Sequence, residues 1–267
     1  MQPIVAIVGP TGTGKTELAI SIAKQVGAVL LPLDQLHRYA HLSEGTGLDV
    51  EGLSQVDHHG YQILSPWEVS GPEKYVQWLG PVLSSVGIQR PVVLEGGCTS
   101  YLYKILARTD DQILKKIRIV ALASDPIGPA NLQRIRDRWS PEKILAVIEE
   151  TKNLEEEKFI CGAGLPLLEL CERLWKHPEN DDPTLAWAIR ISARIYGPSY
   201  LALRGQLSAE MARERIVSNV LDIQRYQEAR IRSVLPSERI FEGSQTRQLF
   251  SDICRFLLEN REPLNAE

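Results

Sequence analysis

Apolar residues fall into two regimes along this chain. Over the first half, short apolar runs alternate with segments of helical periodicity. Val5 to Val8 is followed by Thr16 to Val26, Ala28 to Leu33 by Glu73 to Val86, and Pro91 to Leu94 by Thr99 to Arg108, before a further run from Ile117 to Ala123. Apolar runs without polar alternation are what strands covered on both faces require, so at least four parallel strands in one doubly wound α/β sheet are predicted. Beyond about residue 140 the patterns become helical: Glu142 to Phe159, Leu165 to Trp175, Pro183 to Tyr196, Ser208 to Val234 and Gln245 to Glu259. Ile216, Val220 and Ile223 make a narrow apolar stripe, and Leu249, Phe250, Ile253, Phe256 and Leu257 a broader one. The expected organisation is an α/β core over residues 1–140 and a mainly helical C-terminal domain over residues 141–267 that closes over it, with Arg239 to Phe241 as a stray strand.

Between the first strand pattern and the first helix pattern lies GPTGTGKT. Gly9, Pro10, Thr11, Gly12, Thr13, Gly14, Lys15 and Thr16 fit G-x-x-x-x-G-K-[ST] throughout, in the strand-then-helix context the motif needs. Glycines let successive backbone N–H groups face inward, and the helix N-terminus adds positive potential. Lys15 brings a point charge, and Thr16 a hydroxyl suited to Mg²⁺. The fold class is therefore expected to be a P-loop NTPase-like doubly wound parallel sheet, with its ligand edge at the carboxyl ends of the strands. A phosphate cradle does not name a reaction, because any diphosphate or triphosphate can occupy it.

Other residues bear on what is held there. Asp34 ends the second strand run and is either a solvated loop acid or a carboxylate facing the same crevice, where it could take a proton from a nucleophile. Glu95 ends the third run and either holds Mg²⁺ through water or caps the following turn. In LQRIRDRW, Arg134 and Arg138 share one helical face with Arg136 between them, forming either a solvated surface or a cationic lid over a departing phosphate. The polar, Gly-rich segment from Gln35 to Pro72 is too long for an ordinary connection and is expected to line a site. His58 and His59 lack a third ligand at metal spacing, and Cys98, Cys161, Cys171 and Cys254 stand too far apart for a zinc motif.

Charge and composition narrow the partners. Lys and Arg number 30 against 34 acids, a net charge of −4 that matches a large polyanion poorly, so nucleic acid is not expected as a partner. No apolar run approaches the roughly 20 residues that span a bilayer. MQPIVAIVGP carries no basic leader. A cytoplasmic protein without a membrane partner, monomeric or weakly oligomeric, is expected. On residues alone the constellation suits a small-molecule kinase, and equally a transferase that binds a diphosphate and expels it. The two differ in whether a phosphorus–oxygen or a carbon–oxygen bond breaks.

GPTGTGKTELAISIA, LPLDQLHRYAHLSEGTGLDVEGL and VVLEGGCTSYLYKIL resemble, in order and spacing, the phosphate loop, the Asp segment with its L-S-x-G-[ST]-G continuation, and the L-E-G-G strand-turn-helix of the adenylate isopentenyltransferases, the bacterial cytokinin-forming enzymes. The resemblance covers roughly the first 140 residues. It implies transfer of a dimethylallyl group from dimethylallyl diphosphate to the exocyclic amine of AMP, or of ADP or ATP, with diphosphate released. It also implies that Lys15, Thr16 and the amides of Gly9, Thr11, Gly12, Thr13 and Gly14 hold the diphosphate with Mg²⁺, Thr16 being the metal ligand. Thr99 and Arg134 would bind it from the other side, Asp34 would be the general base, and Asp34, His37, Thr46 and Ser100 would face the nucleotide. His37 stands where plant-pathogen relatives carry Gln, and no Asp near Trp187 or His near Arg225 to Arg230 answers the polar pair linked to a hydroxylated donor. An apolar pocket for the plain dimethylallyl donor is therefore expected. The tRNA dimethylallyltransferases share the early motifs and are the second reading; the shorter, acidic chain and the LSEGTG wording place free nucleotide first and a kinase third.

Overall fold

Every residue of β1 (Ile4–Val8) is buried, because the strand lies inside a five-stranded parallel sheet with both faces covered. The computed structural model describes residues 1–65, 68, 70–108, 111–123, 129–156 and 187–262. With β2 (Val29–Pro32), β3 (Val92–Gly96), β4 (Ile117–Leu122) and β5 (Ile240–Phe241), the strand order is β2-β3-β1-β4-β5. Ile4 stands beside Val92 on one side and Ile117 on the other. The chain thus leaves β1 for the far edge, returns through β3, and crosses to β4. That reversal opens a crevice at the carboxyl end of β1, where such sheets bind ligands.

Alternation along β1 sorts the two faces. Ile4, Ala6 and Val8 pack with α4 (Pro72–Val86) and α5 (Thr99–Ala107) through Tyr75, Leu79, Leu83, Tyr101 and Ile105. Val5 and Ile7 face α1 (Lys15–Val26) and the last helix, α10 (Thr246–Glu259), through Leu18, Ile22, Leu249, Ile253 and Leu257. Between β2 and α4 the chain forms two single-turn helices, α2 (Ser43–Thr46) and α3 (Val50–Leu53). A separate apolar cluster joins α6 (Pro129–Arg138), α7 (Pro141–Glu156), α8 (Trp187–Leu203) and α9 (Ala209–Arg232), with Ile135, Trp139, Val147, Tyr196, Ile216 and Val220 buried together.

A division at residue 140 does not follow this packing. Ile231 and Leu235, at and beyond the end of α9, are buried among the α4 and α5 side chains, β5 pairs with β4, and α10 covers α1. The stray strand is thus the fifth strand of the sheet, and the last helix belongs to its cover. The helix expected over residues 165–175 lies outside the described residues, as do the side chains of residues 187–193 on which the apolar donor pocket rests. No helix among the described residues is long and apolar enough to cross a membrane.

The docking of α10 generates a stability prediction. Leu257 is fully buried and Arg255 exposed on the same helix. Leu257→Ala should lower unfolding free energy by about 3 kcal/mol, and Arg255→Ala by no more than about 0.5 kcal/mol. Urea titrations followed by tryptophan fluorescence measure both; equal losses would place α10 off the sheet.

Candidate functional site

The phosphate loop leaves β1 at Val8 and enters α1 at Lys15, with Gly14 as the N-cap in the left-handed region (φ +81°), a conformation that β-carbon-bearing residues rarely hold. Thr11, Gly12, Gly14, Lys15 and Thr16 line a cavity of about 260 Å³. Thr13 turns its hydroxyl back to donate to the Pro10 carbonyl (2.9 Å), and neither it nor Gly9 lines the cavity. Lys15 is buried, and its ammonium donates to the Pro10 carbonyl at 3.3 Å.

Two strand ends bring acids to this loop. Asp34 follows β2 and lines the cavity, its carboxylate accepting from the Leu36 N–H (3.0 Å) and the Gly97 N–H (3.4 Å). Glu95 lies within β3, wholly buried, accepting from the Thr16 hydroxyl (2.9 Å) on one oxygen and the Tyr61 hydroxyl (3.1 Å) on the other. His37 Nδ1 stands 3.6 Å from Glu95, a distance for charge attraction rather than a direct hydrogen bond. Burial disfavours the carboxylate of Glu95, yet His37 and then Lys15 hold its pKa below the ordinary range. For His37, burial disfavours the charged ring, but Asp34 and Glu95 outweigh it and raise its pKa. Burial dominates at Lys15, whose pKa is lowered despite Glu95 and Asp34. The neighbouring Cys98 thiol is pushed up to about 11 by burial and next by Asp34, so it is no thiolate nucleophile at neutral pH.

The roof comes from α2 and α6. Glu150 of α7 accepts from the backbone N–H groups of Glu44 (2.9 Å) and Gly45 (2.8 Å), which fixes α2 against the helical layer and sets Thr46 and Gly47 at the cavity wall. Arg138 crosses from α6 to the loop, donating to the Thr11 hydroxyl (3.5 Å) and the Gly47 carbonyl (3.2 Å). A Cβ on Gly47 would lie 2.0 Å from the Arg138 guanidinium, so the glycine admits the arginine. Burial lowers the Arg138 pKa, opposed by Asp34 and Glu95.

Arg134 is therefore a correction. It is exposed and reaches Asn131 (3.5 Å) on its own helix, while Arg138, one turn on, faces the phosphate loop. Thr99 and Ser100 begin α5 and do not line the cavity; Ser100 contacts the Cys98 sulfur (3.2 Å). Lys15, Thr16, Asp34, His37 and Thr46 do share the cavity. Sequence reasoning missed Gln227 of α9, which also lines it and accepts from the Thr11 N–H at 2.9 Å. A helical glutamine carries no distinguishing signal, so only the fold reveals it.

Chemically, the site offers a buried ammonium and a guanidinium in one cavity with a backbone-oriented carboxylate, while the Thr11 amide expected to hold diphosphate is instead taken by Gln227. Such a cradle stabilises a departing oxyanion while the acid accepts a proton. Thr16, which lines the cavity, and Glu95, buried behind it, are hard oxygen donors 2.9 Å apart, the donor type Mg²⁺ takes beside a phosphate. Among the described residues no cluster of three His, Cys, Asp or Glu forms a metal cage.

Residues 2–158, well over half of the chain, match the isopentenyl transferase family. That span includes the phosphate loop, Asp34, Glu95 and Arg138. Among curated relatives, the tRNA dimethylallyltransferase of Thermodesulfovibrio yellowstonii is 34% identical over 103 residues, covering 38% of this chain and 33% of the relative. The tRNA dimethylallyltransferase of Solibacter usitatus is 30% identical over 139 residues, covering 51% and 40%. The matches thus span less than half the length of these relatives. In fold, the full-length tRNA isopentenylpyrophosphate transferase of Bacillus halodurans superposes with a TM-score of 0.67 at 16% identity over 97% of this chain and 98% of its own. A eukaryotic dimethylallyltransferase acting on tRNA gives 0.69 at 15% identity, over 100% and 82%. These neighbours share the P-loop NTPase-like fold. The expectation of AMP as acceptor with nucleic acid not favoured is overturned by relatives that are named for tRNA. Net charge is a whole-chain sum, whereas phosphate contacts depend on local cations, so it does not exclude a nucleic-acid partner. The chain belongs to the isopentenyl transferase family.

Proposed function

We propose that the protein transfers a dimethylallyl group from dimethylallyl diphosphate to the exocyclic amine of an adenosine in tRNA, releasing diphosphate. One observation carries the reading: Lys15, Thr16 and Arg138 share one cavity with Asp34, so a leaving-group cradle and a proton acceptor face each other. Membership of the isopentenyl transferase family supports the prenyl donor, and the tRNA enzymes among its relatives support the acceptor.

In this reaction the adenine nitrogen forms a bond to the first carbon of the dimethylallyl group as that carbon's bond to oxygen breaks. The electron pair of the broken bond leaves on diphosphate, and the amine proton passes to Asp34. Negative charge grows on the diphosphate, where Lys15 and Arg138 stand, so these groups bind the transition state more strongly than the ground state. Thr16, backed by Glu95, would hold Mg²⁺, which supplies further positive charge to the leaving group. Asp34 is fixed by two backbone N–H groups, which keeps its carboxylate oriented toward the crevice.

Incubation with dimethylallyl diphosphate and Mg²⁺, offering a tRNA transcript with adenosine in its anticodon loop or AMP, tests the acceptor by product mass. The dimethylallyl increment should appear on the RNA; modification of AMP alone would overturn the assignment. Kinetics of three variants test the residues. Asp34→Ala should lower kcat by about a hundredfold or more, and Arg138→Ala by about a hundredfold. Arg134→Ala should leave kcat within about twofold. A loss at Arg134 equal to that at Arg138 would contradict the placement of the lid.

A further inference from the structure

A link between the two halves of the site runs through α9, outside the residues matched to the family. Gln227 accepts from the Thr11 N–H at 2.9 Å and donates to the Gly97 carbonyl at 2.9 Å. The amide orientation is dictated, since an N–H can only donate and a carbonyl only accept. Gly97 in turn donates its own N–H to Asp34. One side chain therefore spans from the phosphate loop to the turn that holds the carboxylate. A Cβ on Gly97 would lie 2.8 Å from the Gln227 amide nitrogen and 3.0 Å from the Gly9 carbonyl, so a glycine lets the turn approach both.

Three residues earlier on the same helix, Gln224 is fully buried and holds the other side of Thr11. Its amide nitrogen donates to the Thr11 carbonyl (2.9 Å) and to Asn131 (3.0 Å), and its oxygen accepts from Asn131 (2.6 Å). Thr11 is thus pinned to α9 at both its N–H and its carbonyl, while α9 is anchored below by Ile231 among the α4 and α5 side chains and above by Ile216 and Val220 in the helical cluster. Gln227 acts from a rigid support.

We propose that Gln227 is a positioning residue that sets the separation between the phosphate loop and Asp34, and so between leaving group and proton acceptor. The kinetic consequence rests on the transfer reading above; the coupling of the two segments does not. Misplacement by about 1 Å costs about a hundredfold in rate when reacting groups must align. Loss of one ordinary hydrogen bond at the loop changes anion affinity by only about fivefold.

Gln227→Met keeps the length of the side chain and removes both hydrogen bonds; Gln227→Glu can still accept from Thr11 but cannot donate to Gly97. Three measurements are made on wild type and both variants, after thermal melts: single-turnover transfer to tRNA, calorimetric affinity for inorganic diphosphate with Mg²⁺, and amide hydrogen exchange in residues 9–14 and 96–98 with and without that diphosphate. Gln227→Met should slow single turnover by about a hundredfold while diphosphate affinity stays within about fivefold. Diphosphate should slow exchange in both segments of the wild type but only in residues 9–14 of either variant. Equal losses of rate and affinity, an unchanged rate, or persistent protection of residues 96–98 in the variants would each overturn the proposal. If wild type transfers nothing, the reaction assigned above fails, and the exchange result alone decides the role of Gln227.

Discussion

Burying the Lys15 ammonium at the carboxyl end of β1 is the constraint on which the rest of the site depends. An isolated buried charge is expensive, so acids must stand nearby, yet an acid bonded directly to the lysine would occupy the place an anion needs. The fold resolves this by setting Asp34 and Glu95 at the ends of β2 and β3 and giving each its own partners. Glu95 is held by Thr16, Tyr61 and the charge of His37, and Asp34 by the amides of Leu36 and Gly97. Lys15, Arg138 and His37 thus stand around a cavity that Glu17, Asp34 and Asp49 also line. Mixed charge of this kind suits an anion carried with a metal ion, and the backbone amides leave Asp34 in an ordered position.

Packing explains how the charges keep those positions. The sheet supplies three strand ends side by side, and parallel register sets their carboxyl termini at one level. What the sheet does not supply is a roof, because a sheet edge leaves the phosphate loop open to water. The helical cluster provides it, with α2 fixed by Glu150, Arg138 descending from α6, and α9 running from that cluster to the far face of the sheet. At about 36 Å, α9 is long enough to bridge both layers, and two glutamines in its C-terminal half touch the loop.

Much of this was legible in the sequence where a local rule fixes the outcome. Glycine spacing and the preceding apolar run located the phosphate loop, and topology placed Asp34 in the same crevice. The strand order was not legible, since nothing in the apolar runs says that β3 lies between β1 and β2. Spacing put Arg134 and Arg138 on one face of a helix but could not choose between them; the choice depends on how α6 is rotated over Gly47, a tertiary fact. Glu95 read as either a Mg²⁺ holder or a turn cap after the strand, because a carboxylate inside a buried strand is costly unless several partners converge on it, and those partners come from three separate segments. The return of β5 and α10 to the sheet escaped notice because an amphipathic helix does not announce which layer it covers. Gln224 and Gln227 were silent for a similar reason: glutamine is an ordinary helix residue until its amide meets a particular backbone.

In the proposed reaction the cradle grips a leaving group and a carbon–oxygen bond breaks. Dimethylallyl diphosphate labelled with ¹⁸O at the oxygen bonded to carbon tests this directly, with mass spectrometry of both products after one turnover. Cleavage at carbon sends all of the label into released diphosphate and none into the modified nucleoside, which is the predicted result. Label retained in the organic product would mean that phosphorus, not carbon, was the centre attacked, and the account would be wrong.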